Sequence, residues 1–158
     1  MTEDDGVEEL ARWFSRVLER PCRAFEGQAV DFRPRSRSVL FCFVNSLGGV
    51  QSVWICDHVL AVSWAAALDN RDLERVRVQS RMESLSDDCS RLLIDFWNQV
   101  AMPTSLTREG LVFGRLHRDP NAPLSPDMDA VLTRPPRRLD CRLSIEGIGE
   151  GRLSILTS

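Results

Sequence analysis

The chain has 158 residues with a net charge of −3, and 43% of its residues are apolar against 27% charged. This fits one globular domain over residues 1–158 with enough chain to bury a core. No run of about 18 apolar residues offers a membrane span. The acidic opening MTEDDGVEEL is unlike a secretory leader, and arginines scattered through a net-acidic chain give no broad basic face for nucleic acid. The expectation is a cytoplasmic protein with no membrane insertion and no nucleic-acid partner.

In chain order, GVEELARWFSRVLER (6–20) sets Val7, Leu10, Phe14, Val17 and Leu18 at helical spacing, and Pro21 ends that helix. AFEGQAVDF and SVLFCFVN read as strands. The second leads through Leu47-Gly48-Gly49 into VQSVWIC, a hairpin turned by the glycine pair. Asp57 is placed to cap a helix through HVLAVSWAAALDN. The charged stretch RDLERVRVQSRMES has a weak period and is left undecided. Ser86 or Asp87 then caps a helix through CSRLLIDFWNQV, closed by Pro103. LVFGRLH, a proline-containing loop and a short run around Met128 to Leu132 follow. Finally RLDCRLSIE alternates Leu139, Cys141, Leu143 and Ile145 with polar residues, turns at GIGEG and continues as RLSIL, an antiparallel hairpin. Helix, strands, helices, strands predicts an α+β fold, an antiparallel sheet with helices packed on one face.

Five cysteines, Cys22, Cys42, Cys56, Cys89 and Cys141, never stand in CxxC spacing and sit in apolar segments, as reduced core residues do. His58 and His117 lie in no metal-ligand spacing, so no metal site is expected. Ser15, Ser63 and Ser90 lack a GxSxG turn, and neither glycine cluster precedes a helix that could receive a phosphate.

The segment 89–100 draws the most attention. Cys89, Leu92, Leu93, Phe96 and Val100 form an inward stripe, while Asp88, Arg91, Asp95, Asn98 and Met102 share the opposite side. As an ordinary solvated face, that side would hold an Arg91–Asp95 ion pair of roughly 0.3–0.5 kcal/mol and nothing more. As a functional face, an acid and an amide three residues apart could enter another protein's active site. The carboxylate would hold a charged group and the carboxamide would orient a water for in-line attack. Trp97, at the border of the apolar stripe, is then expected to touch the partner together with Arg91 and Met102.

With these elements in order, the chain resembles the CheC/CheX/FliM superfamily of chemotaxis phosphatases, flagellar switch proteins and type III secretion cytoplasmic-ring proteins. The resemblance runs from GVEELARWFSRVLER through FCFVNSLGGVQSVWIC and HVLAVSWAAALDN to RLDCRLSIEGIGEGRLSIL. The single-unit length is similar to CheX, and the GRLSIL ending is similar to the ring proteins. The phosphatases of this family carry Glu-x-x-Asn on the central helix, where this chain has Asp95-Phe96-Trp97-Asn98. The resemblance implies that Asp95 and Asn98 are catalytic, Asp95 holding a CheY-like response regulator's phosphorylation site and Asn98 orienting the hydrolytic water. No cofactor of the chain's own is implied, and a magnesium ion would belong to the partner. The chain departs from the family in three ways. Asp is one methylene shorter than Glu, Gln99 to Met102 replace small residues, and Pro103 follows closely. The alternative implied by the resemblance is a non-enzymatic FliM-like scaffold or adaptor that binds flagellar or secretion ring components. An uncovered edge strand would also permit a homodimer. A small secretion chaperone is a more remote alternative, made less attractive by the closing hairpin.

Overall fold

A computed structural model describes residues 3–70, 73–103, 110–135 and 137–158. The chain runs α1 (Glu3–Val17), β1 (Cys22–Glu26), β2 (Val39–Val44), β3 (Val50–Cys56), α2 (His58–Asp69), α3 (Leu73–Ser80), α4 (Asp87–Gln99), β4 (Val112–His117), α5 (Pro126–Thr133), β5 (Arg137–Ile145) and β6 (Gly149–Thr157). The six strands form one sheet in the order β1-β5-β6-β3-β2-β4, and every neighbouring pair is antiparallel. This is the expected α+β arrangement.

The sheet is built around two hairpins. The β2–β3 turn closes where Asn45 N donates to Gly49 O and Asn45 Oδ1 accepts from the N–H groups of Leu47 and Gly49, with Gly48 at a left-handed φ of 82°. The β5–β6 hairpin supplies Cys141, Leu143, Ile145, Leu153 and Ile155 to a core shared with Phe41, Phe43 and Trp54. Against that face lie the apolar sides of α1, α2 and α4. Leu10 and Phe14 on α1 and Leu60, Ala61, Trp64 and Ala65 on α2 are fully buried. α2 is apolar on nearly all sides because it packs on the sheet, on α3 and on α4 together.

The other face of the sheet is covered too, which goes beyond the one-faced arrangement predicted. Met128 and Val131 of α5, with Val30 and Phe32, pack on Leu40, Cys42, Val53, Ile55 and Leu156. The predicted strand AFEGQAVDF accordingly stops at Glu26. At Gly27 the chain passes so close to β5 that an added Cβ would stand 2.7 Å from the Cys141 carbonyl carbon. Beyond it the chain leaves the ladder and crosses to the second face, where Val30 N donates to Ser154 Oγ at 2.8 Å.

Three further segments complete the comparison with the sequence. Residues 73–80 of the undecided charged stretch form α3, an exposed helix that buries only Val76; Arg71 and Asp72 lie outside the described residues. α4 ends at Gln99, four residues before Pro103, where Val100 turns to extended geometry. The run around Met128 is a helix, started by the Ser125 cap and Pro126 in its first turn. All five cysteines are reduced and buried, as expected. Among the described residues no helix is long and apolar enough to cross a membrane.

Candidate functional site

The candidate site is the outer face of α4. Ser86 caps the helix by accepting from Cys89 N at 3.1 Å, and Asp87 and Asp88 complement the positive end of the helix dipole. Arg118, just past β4, ties this end down by pairing with Asp87 and donating to Leu85 O at 3.0 Å. At the other end Trp13 Nε1 donates to Ala101 O at 3.1 Å. Both ends are therefore held by elements distant in sequence.

Between them the inner face is clamped by aromatic rings. Cys89, Leu93, Phe96 and Trp97 are buried, while Leu92 and Val100 are half-buried against the same core. Trp97 is 4% exposed. Its ring stacks on Trp13 at 5.6 Å and meets Phe43 at 4.8 Å, Trp54 at 5.1 Å and Phe96 at 5.2 Å edge to face. Such arrangements are favourable aromatic geometries. The expectation that Trp97 touches a partner is thus corrected: it lies at the centre of a cluster that gathers all four tryptophans. The helical angle put it at the border of the apolar stripe, and Trp13 from α1 covers that border. Met102 lies past the end of α4 and packs half-buried against the core, so it is not on the helix face where the periodicity placed it.

Asp95, Asn98 and Arg91 are exposed on the opposite side. Among the described residues none of the three makes a side-chain hydrogen bond or ion pair, so the Arg91–Asp95 pair expected of an ordinary solvated face is not formed. Asp95 and Asn98, three residues apart on one helix, stand side by side with Cβ atoms about 5–6 Å apart. Their geometry is set by a backbone that the buried rings hold, and their polar atoms are uncommitted. A carboxylate and a carboxamide so placed can grip a cation and align a water on a protein that docks there.

Other chemistry finds little support. Burial pushes the Cys22 thiol up to about 11 and the Cys141 thiol up to about 12, so neither is a thiolate near neutral pH. Among the described residues no group of three His, Cys, Asp or Glu side chains could hold a metal ion. The sequence reading passed over Arg33, Arg35 and Arg37, which the fold gathers beside the start of α2. Their alternation around Pro34 was the available signal, and it carries meaning only once the chain is folded.

The sheet order, the α2 and α4 layer and the closing hairpin define a CheC/CheX/FliM-like fold. Solved structures with that architecture cover nearly the whole chain. FliY from Thermotoga maritima is 15% identical, with a TM-score of 0.58 over 99% of this chain and 89% of that one. FliM in the FliG–FliM complex from H. pylori is 13% identical, with a TM-score of 0.61 over 98% of this chain and 87% of that one. CheX in a CheX–CheY–BeF3 complex from Borrelia burgdorferi is 13% identical at a TM-score of 0.39, too distant to support an argument. No protein-family model and no curated protein matches the chain. At these identities the likeness shows the fold alone.

Proposed function

We propose that the protein acts in the cytoplasm by docking the outer face of α4 on another protein, and that it dephosphorylates the phosphoaspartate of a CheY-like response regulator. The observation that carries this reading is the pair of exposed, uncommitted side chains Asp95 and Asn98 on a helix whose inner face is locked by Trp97. Asp95 holds a cationic group beside the partner's phosphorylation site. Asn98 Oδ1 accepts a hydrogen bond from a water and directs its oxygen at phosphorus. As the new P–O bond forms, the bond to the aspartyl oxygen breaks, inorganic phosphate leaves carrying both of the water's protons, and the partner's carboxylate is restored. A magnesium ion held by the regulator would balance charge on the phosphoryl oxygens.

The test is the loss of phosphate from a phosphorylated CheY-like regulator with and without purified protein. Acceleration is expected, and Asn98→Ala should abolish it while leaving the circular dichroism spectrum unchanged, because Asn98 is exposed. A rate equal to the regulator's own would remove the enzyme from consideration.

A second reading is a non-catalytic scaffold. It is favoured by solved structures that match above a TM-score of 0.5, among them FliY and FliM, the latter in a complex with FliG. The surface such a partner or a second copy would use is the open edge of β4, whose outward backbone groups have no strand beside them among the described residues. Stable co-elution with ring components, insensitive to Asn98→Ala, would identify the scaffold.

A further inference from the structure

The two halves of α4 are held in place by different means. Behind the second half stand large side chains, Leu93, Phe96 and Trp97, all buried. Behind the first turn the buried residues are small, Cys89 and Ser90, and offer far fewer dispersion contacts to fix that end. Many helices fix the entry of the chain with an apolar contact between the residue before the cap and the fourth residue after it. Here the cap is Ser86, the residue before it is Leu85 and the fourth after it is Ser90, so one member of that contact is polar.

Arg118 bridges the same two residues instead. Its Nη1 donates to Leu85 O at 3.0 Å and to Ser90 Oγ at 3.4 Å, and its Nη2 pairs with Asp87. One planar guanidinium therefore spans the whole first turn, a geometry that a point charge on a flexible stem does not reproduce. Arg118 directly follows His117, the last residue of β4, which pairs with Leu40 of β2. The bridge thus fastens the start of the helix to the sheet.

Electrostatics alone would not put an arginine there. The start of a helix is the positive end of its dipole and disfavours a cation. Asp87 offsets this, but its side chain is 82% exposed, and ion pairs open to water contribute little. Two of the three contacts fall on uncharged oxygens. A cation kept at the unfavourable end of a helix by such contacts points to a geometric role.

With α4 as the docking face, a reading on which this rests, we propose that Arg118 is a positioning residue for partner binding. It sets the entry angle of α4 and thereby places Asp88 and Arg91, the exposed residues of the first half of the helix. Asp95 and Asn98 lie about 12 Å further along the axis, beside the rings, and are set by those rings. The face is therefore divided. Its first half governs how tightly the partner is held, and its second half governs the rate once the partner is held.

The experiment compares the full chain with Arg118→Ala and Arg118→Lys in two arms. In the first, without partner, hydrogen exchange is read at the amides of Ser90 to Leu92 and of Trp97 to Gln99. Arg118→Ala should speed the first group about tenfold and leave the second within about twofold, with the thermal midpoint lowered by less than about 4 °C. No partner is present, so this change cannot come from a lost contact between Arg118 and the partner. The second arm uses a phosphorylated CheY-like regulator for turnover and its beryllofluoride form for direct binding. Arg118→Ala should raise KM and Kd about fivefold while kcat stays within about twofold. A general loss of folded protein would instead lower kcat and leave KM where it was. Arg118→Lys, which keeps a charge near Asp87 but not the fork, should remain at least about twofold weaker than the parent. Native exchange in the first turn, unchanged KM and Kd, a fall in kcat alone, or full recovery by lysine would each overturn the proposal. A parent chain that neither binds nor turns over the regulator would sink the α4 reading and the docking role with it, and that failure is told apart from the others because the parent itself shows it.

Discussion

Replacing Trp97 with alanine separates a buttress from a contact residue. A buried tryptophan removes about 150–250 Å² from water, worth about 4–6 kcal/mol at about 25 cal/mol per Å². Compact denatured states lower this by about 10–40%, which leaves about 2–5 kcal/mol, overlapping the usual cost of about 3–5 kcal/mol for Trp→Ala in a core. Trp97 is 4% exposed and its ring meets Trp13, Phe43, Trp54 and Phe96, so nearly the whole of that cost should be realised. Against a total stability of about 5–15 kcal/mol the variant would be marginal, with a midpoint lowered by roughly 10 °C. Trp97→Phe keeps a ring and sacrifices no hydrogen bond, since Nε1 has no acceptor, and should cost only about 1–2 kcal/mol. Arg91→Ala, on the exposed side, should stay within about 0.5 kcal/mol of the parent. Urea unfolding followed by far-ultraviolet circular dichroism measures all three. A Trp97→Ala protein within about 1 kcal/mol of the parent would show that the ring is not the centre of the cluster.

Three other outcomes are expected. On the proposed phosphatase reading, Asp95→Glu lengthens the acid by one methylene and should raise the rate of regulator dephosphorylation by roughly tenfold or more, since a shortfall of about 1 Å in reach can cost on the order of a hundredfold; an unchanged or lower rate would show that Asp95 does not hold the partner's site. Burial, and then the nearby Arg115 charge, hold the His117 imidazole below its ordinary value of 6.5. The unfolded chain therefore takes up this proton first as pH falls, so stability contributed by neutral His117 is present above 6.5 and lost below it, down towards the folded value. His117→Gln should flatten the fall in urea midpoint across that window, and an identical pH profile would rule the histidine out as its cause. Gly27→Ala would force a Cβ to within 2.8 Å of Arg142 N and 2.7 Å of the Cys141 carbonyl carbon, both backbone. Peeling β1 from β5 should cost about 1–3 kcal/mol and speed hydrogen exchange at the amides of Arg23 to Glu26, and native exchange rates there would contradict the close approach.

Much of the architecture was legible because its signals are local. Asp57 before an alanine-rich run predicted the start of α2, and Asp57 is its cap, with Leu60 N donating to the carboxylate. Ser86, one of two residues expected to cap α4, does so. Alternation from Leu139 to Ile145 read the buried side of β5, and Gly48-Gly49 read the β2–β3 turn. Where the reading fell short, a distant partner had changed the outcome. AFEGQAVDF has strand composition throughout, yet only the part before Gly27 finds a ladder, because Val30 and Phe32 are drawn to the other face by α5 and the back of β2, β3 and β6. α3 has too weak an apolar period to declare itself, and contact with α2 makes it a helix.

By itself the sequence determined the helices α1, α2 and α4, the two hairpins, and that Asp95 and Asn98 share a helix side, since a helix advances by a constant angle per residue and caps act within one turn. Tertiary structure alone decided that Trp97 points into the molecule, that helical cover falls on both sides of the sheet, and that Arg33, Arg35, Arg37 and Arg152 line one cleft at the start of α2. Burial depends on which surfaces meet, and those surfaces belong to residues far apart in the chain, 124 positions for Val30 and Ser154 and 88 for Trp13 and Ala101. No local pattern encodes such a meeting. It follows from a sheet order that puts the apolar side chains of the central strands β2, β3, β5 and β6 into the two cores at once.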